Sequence, residues 1–233
     1  MKNNRFFVLG TDTGVGKTVL SLLLMHYFSK KGANPFYIKP FQTGCSHPLD
    51  TDSDARMIYE SFPPLKGKNP EDSMIYCLKN AKAPYFAARN QHNPMNIDTV
   101  LSFIHEKGKN HDPLIIEAAG GLLVPVTEKS LIIDLVQQSG ARPIIAARAG
   151  LGTINHCLLS LEALRHRGIE SPGLVFIQKD TDPTSLAMVK ENMEAIAMFS
   201  DVQVAGLIPH IPDFSHPDPA LFEVIHTLIS QKA

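Results

Sequence analysis

Short apolar runs alternate along this chain with longer segments of helical period. Residues 6–9 form a run of four apolar side chains closed by Gly10, the length and setting of a buried strand. Residues 17–31 then place Leu20, Leu23, Leu24, Tyr27 and Phe28 on one helical face and stop at Gly32. The same grammar predicts strands at 36–38, 114–116, 143–146, 173–177 and 202–205. Helices are predicted at 52–61, 96–108, 130–139, 153–167, 183–199 and 217–231. Residues 62–94, rich in Pro, Lys and Asn, read as irregular with a short helix near 84–90. Strands apolar on both faces, each followed by a helix, indicate an α/β fold: a mainly parallel, doubly wound sheet with helices on both faces. No repeat or linker interrupts the pattern, so residues 1–233 are expected to form one domain. In such sheets ligands sit beyond the carboxyl ends of the strands, and those ends are where chemistry is sought.

Composition narrows the partners. Charge is balanced, 22 Lys+Arg against 23 Asp+Glu, which argues against nucleic acid or an anionic membrane surface as partner. Cys45, Cys77 and Cys157 are odd in number and far apart. They suggest neither a disulfide framework nor a zinc knuckle, and point to a reducing cytoplasm. The apolar run after the first five residues is too short for a signal peptide, and no stretch is long enough to span a bilayer.

The strongest motif follows the first strand: Gly10-Thr11-Asp12-Thr13-Gly14-Val15-Gly16-Lys17-Thr18. Gly16-Lys17-Thr18 match the end of the phosphate-loop pattern, while Thr11 stands where that pattern has its first glycine. The physics is retained. Successive backbone N–H groups at a helix N-terminus make an anion cradle, Lys17 can reach terminal phosphates, and the Thr18 hydroxyl can ligate Mg²⁺. The plainer reading is a Gly-rich turn with a surface lysine; strand, loop, Gly-Lys-Thr and helix in this order favour nucleoside triphosphate binding.

Other strand ends carry weaker signals. Lys39, just before Pro40, lies where the phosphate loop also lies. It reads equally as an edge lysine in water or as a cation for charge moving between phosphate and acceptor. Asp50, Asp52 and Asp54 precede a helix; one or two read as caps, and one as a magnesium ligand. Glu117, ending a buried strand, needs a metal or a salt bridge, and metal ligation is the preferred reading. Residues 151–156 start a helix whose N-terminus suits either a cap or a substrate carboxylate. His156 reads as packing at least as readily as catalysis.

Taken in order, G-T-D-T-G-V-G-K-T, K-P-F-Q-T-G, E-A-A-G-G and G-L-G-T-I-N-H resemble the dethiobiotin synthetases, ATP-dependent cyclo-ligases of biotin synthesis. The resemblance implies 7,8-diaminononanoate, CO₂ and ATP as substrates, Mg²⁺ as cofactor and a homodimer. It implies that Thr13, Gly14, Val15, Gly16, Lys17 and Thr18 cradle the phosphates, and that Thr18, Asp54 and Glu117 hold Mg²⁺. Lys39 and Lys17 would be catalytic, and Thr43 would contact the substrate. Glu117, Ala118, Ala119 and Gly120 would line the site between nucleotide and diamine. Gly152, Thr153, Ile154 and Asn155 would bind the substrate carboxylate from the second subunit. Pro209, His210 and Ile211 would lie near the purine. Two departures stand out. Family members commonly have Gly where this chain has Ala118, and many end the fifth strand with an adenine-reading Asn where this chain has Ile177 and Gln178. Strand neighbours point to opposite faces, so Gln178 is not a like-for-like replacement. The rival reading, a P-loop switch of the partition type acting through partners, meets Asp12 where that class carries a second lysine.

Overall fold

A computed structural model describes residues 4–169, 172–179 and 184–231. The elements run β1 (Arg5–Gly10), α1 (Lys17–Lys30), β2 (Phe36–Ile38), β3 (Phe41–Thr43), α2 (Asp54–Ser61), β4 (Tyr76–Leu78), α3 (Pro84–Asn90) and α4 (Ile97–Asn110). They continue with β5 (Leu114–Gly121), α5 (Ile132–Ser139), β6 (Arg142–Arg148), α6 (Thr153–His166), β7 (Gly173–Ile177), α7 (Leu186–Phe199), β8 (Val204–Ile208) and α8 (Leu221–Ser230). Six strands form one sheet in the order β2-β5-β1-β6-β7-β8, and every pairing is parallel. The expected α/β doubly wound architecture is present. The order turns around β1, whose successors lie on both sides of it, and the crevice at such a reversal is the ligand position of open parallel sheets.

The strands lack polar alternation because helices cover both faces. Phe7, Val8 and Leu9 of β1, and residues 144–147 of β6, are all essentially inaccessible. α1 buries more than the predicted face, since Leu22 and Met25 are covered as well. It lies between the sheet and α2 and α8, and a helix enclosed on several sides has no fully wet face.

Several boundaries differ from the sequence reading. β5 runs on to Gly121, so Glu117 lies within a strand, opposite Val8 of β1, rather than after one. β8 starts two residues later than predicted and ends at Ile208. α8 starts at Leu221 because Pro217 and Pro219 break the preceding segment. The start predicted for α7 at Pro183 falls outside the described residues; the helix begins after Ser185, whose hydroxyl caps it through Met188 N–H. Within 62–94 the helix near 84–90 is present as α3, but β4 was not foreseen. It pairs in parallel with β3 as a separate two-stranded ribbon, Phe41 opposite Tyr76 with their rings stacked at 5.8 Å. This ribbon fixes the segment that follows Lys39.

Candidate active site

The loop between β1 and α1 has the backbone that its glycines permit. Gly14 and Gly16 have φ of 69° and 97°, and a Cβ on Gly16 would lie 2.8 Å from Ile177 Cγ2. Only glycine fits at position 16, because both the dihedral and the end of β7 exclude a side chain. The Lys17 ammonium folds back and donates to the Asp12 carbonyl at 2.9 Å. Burial lowers its pKa to about 8, with Lys39 adding to the shift and Glu117 and Asp54 opposing it.

Behind the loop, four elements converge on two carboxylates. Glu117 of β5 is 1% exposed. Its Oε1 faces Thr18 Oγ1 at 3.0 Å and Lys39 Nζ at 2.9 Å, and its Oε2 faces Ser21 Oγ at 3.0 Å and the Tyr37 hydroxyl at 3.1 Å. Asp54 is the first residue of α2. Its backbone N–H donates to Gln42 Oε1 at 3.2 Å, and its carboxylate takes Thr18 Oγ1 at 2.7 Å and a close ion pair with Lys39. Burial alone would lower the Lys39 pKa, yet the charges of Glu117 and Asp54 outweigh it and raise it. Burial alone would raise that of Asp54, and Lys39 holds it below the usual carboxylate range. The Tyr37 phenol is pushed well up by burial and by Glu117, so it stays a donor. The edge-lysine reading of Lys39 is thereby excluded: it is 6% exposed and bridges both carboxylates.

The donor set suits a hard divalent cation. The Thr18 hydroxyl has one proton but faces two carboxylate oxygens, so one of its short O···O contacts has no proton between the atoms. One hydroxyl and two carboxylates are too few for an all-protein cage, and among the described residues no group of three or more His, Cys, Asp or Glu gathers. A cation held by the hydroxyl and the two carboxylates would keep water and phosphate oxygens as its other ligands, as magnesium does.

These groups open into a cavity of about 590 Å³ at the carboxyl end of the sheet. Its walls include Thr13, Gly14, Gly16, Lys17, Thr18, Lys39, Thr43, Asp54, Glu117, Ala119, Gly120, Gln178, Pro209, His210 and Ile211, so most of the sequence-derived site meets in one place. Gln178 lies just past β7, where strand alternation has ended, and it shares the cavity with Ile177; the opposite-face expectation does not apply there. One expectation, that Ala118 lines the site, needs correction; the other residues outside the cavity wall do not contradict theirs. The Val15 side chain is buried and borders a smaller basin of about 210 Å³, which leaves its backbone N–H for the cradle. Ala118 is 1% exposed and belongs to the core, because alternation along β5 sends Glu117 and Ala119 to the site and Ala118 to the other face. Gly152, Thr153, Ile154 and Asn155, expected to act from a second subunit, do not border their own chain's cavity. There Thr153 is consumed locally, its hydroxyl donating to Arg148 O at 2.6 Å and its N–H to Gly150 O. Ile154 and Asn155 remain at the accessible start of α6, beside Leu151, which is 88% exposed.

The aspartate cluster is also resolved. Asp50 accepts the N–H groups of Ser46 and His47, a local turn role, and of the three only Asp54 reaches the cavity. Sequence reasoning missed Ser21, Tyr37 and Gln42. A usable signal existed for two of them: Ser21 is one helical turn from Lys17 and Thr18, and Tyr37 is two extended residues from Lys39. It also missed Lys179, Val19, Met57 and Phe214 on the cavity wall, for which no pattern points.

Comparison with known proteins agrees with this geometry. A family model described as an AAA domain matches residues 4–218. The ATP-dependent dethiobiotin synthetase of Agrobacterium fabrum is 37% identical over 211 residues, covering 91% of this chain and 88% of that protein. The enzyme of the same name from Lysinibacillus sphaericus is 33% identical over 235 residues, covering 97% and 95%. Among solved structures, a chain of the MinC:MinD cell division protein complex of Aquifex aeolicus superposes with a TM-score of 0.61 over 99% of this chain and 97% of its own. It is only 15% identical and shares the fold alone. Among the described residues no helix is long and apolar enough to cross a membrane. With relatives a third identical over nearly the whole of both chains, the chain belongs to the ATP-dependent dethiobiotin synthetase family, ligases of biotin biosynthesis.

Proposed function

We propose that this single domain closes the cyclic urea of dethiobiotin from 7,8-diaminononanoate, CO₂ and ATP through two anionic stages. One amine adds to CO₂ and gives a carbamate. A carbamate oxygen attacks the γ-phosphorus, the bond to the β-phosphate oxygen breaks, and ADP leaves a carbamic-phosphoric anhydride. The second amine attacks the anhydride carbonyl, and inorganic phosphate departs as the ring closes.

The observation that carries this reading is the meeting of Lys17, Lys39 and the Thr18–Asp54–Glu117 oxygens in one cavity beside the loop of residues 10–18. A carbamate and a triphosphate repel one another, so phosphoryl transfer here needs positioning and charge neutralisation more than covalent catalysis. The N–H groups of residues 13–18 cradle the β- and γ-phosphates. Lys17 neutralises the terminal phosphates, and Lys39 neutralises the carbamate oxygens and the group in transit. Thr43, at the end of β3, holds the diamine side. Thr18, Asp54 and Glu117 would hold Mg²⁺, which supplies charge neutralisation at the phosphate oxygens when bound. Gln178, Pro209, His210 and Ile211 form the wall that takes the base.

The test of the reaction is to incubate the purified chain with the diamine, bicarbonate and MgATP and to score product by mass. A cyclic urea formed together with ADP and phosphate is expected. ATP hydrolysis that ignores the diamine would sink the proposal and favour a partner-driven ATPase.

We also infer a homodimer in which the start of α6 serves the partner's cavity. Support comes from Ile154 and Asn155 lying accessible at a helix N-terminus yet outside their own chain's cavity. Asn155→Asp would place a carboxylate where the substrate's own should bind, at a position where helices tolerate Asp. Mixing that variant with Lys39→Ala should restore activity to about a quarter of wild type, since half the dimers are mixed and each has one intact site. Mixtures no more active than their parts would argue for sites built from one chain.

A further inference from the structure

Beyond β7 the chain carries a lysine that neither motif nor family resemblance assigned. The Lys179 ammonium stands over the phosphate loop: it lies 3.5 Å from where a Cβ on Gly14 would be, and no side chain intervenes because Gly14 has none. Lys179 lines the 590 Å³ cavity with Thr13, Gly14 and Lys17, and also bounds the 210 Å³ basin on the loop's outer side with Asp12 and Arg148. Among the described residues its side chain has no hydrogen bond or ion pair. The nearby Asp12 carboxylate is engaged by the Thr13 N–H at 2.6 Å. Lys17 approaches the loop from the helix side, where it is 7% exposed and bonded to the Asp12 carbonyl, whereas Lys179 approaches from the end of β7.

The electrostatic balance of the cavity gives this placement a meaning. Three ammonium groups, Lys17, Lys39 and Lys179, border it against two carboxylates, Asp54 and Glu117, and both carboxylates are already engaged by Lys39. The loop end is therefore cationic before any ligand binds, beyond what the helix N-terminus contributes. An exposed lysine held above a glycine backbone, on the cationic side of this cavity, is placed to meet an anionic guest at that loop.

We propose that Lys179 is a nucleotide-binding residue that contacts the β- and γ-phosphates from the β7 side of the loop, closing the cradle opposite Lys17. This rests on the reading of the 10–18 loop as a triphosphate site. It assigns the segment after β7 a phosphate contact as well as the base contacts expected of Gln178.

The test is calorimetric binding of MgATP, MgADP and AMP to the full chain and to Lys179→Met, with Lys179→Arg as the charge-retaining variant. Lys66→Met, an exposed lysine outside the cavity, controls for net charge. Loss of one charge-assisted contact should weaken MgATP and MgADP about tenfold in Lys179→Met. AMP binding, and MgATP binding by Lys179→Arg and Lys66→Met, should stay within about twofold of wild type. In turnover, KM for ATP should rise by the same factor with kcat nearly unchanged, as expected when ground state and transition state lose the same contact. Unaltered MgATP affinity in Lys179→Met overturns the proposal, and so does an equal loss for AMP, which would mean contact with base or ribose. If the wild-type chain binds none of the three nucleotides, the triphosphate reading of the loop itself fails, a result distinct from either.

Discussion

Replacing Lys39 by alanine is expected to lower kcat at least about a thousandfold, the scale set by removing a preorganised charge from a developing anion. The structure adds a second consequence. Lys39 is buried and bridges Asp54 and Glu117, so Lys39→Ala leaves two carboxylates facing each other without their cation. Breaking a buried pair costs about 3–5 kcal/mol. The lower end applies here, because the Asp54 side chain is 30% exposed. The fold should therefore survive with a lower unfolding midpoint rather than an unchanged one. The pH dependence has a definite sign. Asp54 has its folded pKa depressed, so its contribution is present above the unfolded value near ~3.9 and is lost as pH falls through the folded value. Lys39 has its folded pKa raised, so its contribution is complete below ~10.4 and is lost as pH rises through the folded value. The stability gap between wild type and Lys39→Ala should be full at pH 7 and shrink near pH 3, measured by urea unfolding. Mg²⁺ should stabilise the variant more than the wild type, since the variant's carboxylates have no internal cation. Wild-type turnover in Lys39→Ala would remove it from the reaction. A pH-independent gap would remove Asp54 from the ion pair.

The phosphate loop was legible because its signal is covalent in order: strand, glycines, Lys17, Thr18 and helix are consecutive, and local geometry follows from sequence. The sheet was legible for the same reason, as each strand is a contiguous apolar run. Partners brought together by topology were harder. Glu117 and Lys39 are 78 residues apart and Glu117 and Thr18 are 99 apart; metal ligation was read at Glu117 and Thr18 from strand end and motif, but the pairing of Glu117 with Lys39 was not anticipated. β4 was invisible because its three residues sit in a Pro-, Lys- and Asn-rich stretch that reads as irregular. Ala118 was placed at the site by the family resemblance together with its neighbours, whereas alternation along β5 turns it away. Lys179 had no motif at all, since a lone lysine after a strand reads as a surface charge until the loop it overhangs is seen.

Glu117→Gln separates the two tasks of that buried side chain. As a structural group, Glu117 accepts from two directions. On the Oε2 side, Ser21 Oγ is 3.0 Å away but also lies 2.9 Å from the Lys17 carbonyl, and its single proton can serve only one of them. An amide nitrogen there would donate to Ser21 Oγ, freeing the hydroxyl proton for the carbonyl, while the buried Tyr37 hydroxyl loses the acceptor of its proton. On the Oε1 side, the amide oxygen still receives Lys39 and Thr18, and Lys39 keeps Asp54 as its charged partner. The loss in unfolding free energy should be about 1–3 kcal/mol, chiefly for the buried Tyr37 donor left without its acceptor. As a metal ligand, the same change removes half the carboxylate charge of the Thr18–Asp54–Glu117 set. The Mg²⁺ concentration for half-maximal turnover should then rise at least about tenfold, because affinity in such oxygen sites follows ligand charge. The two tasks thus predict different signatures. A metal ligand moves the magnesium titration far more than the unfolding curve. If Glu117→Gln leaves that titration where it was and shifts only the unfolding midpoint, Glu117 serves the protein as the counter-ion of Lys39, and the metal must be held by Thr18, Asp54 and the nucleotide alone.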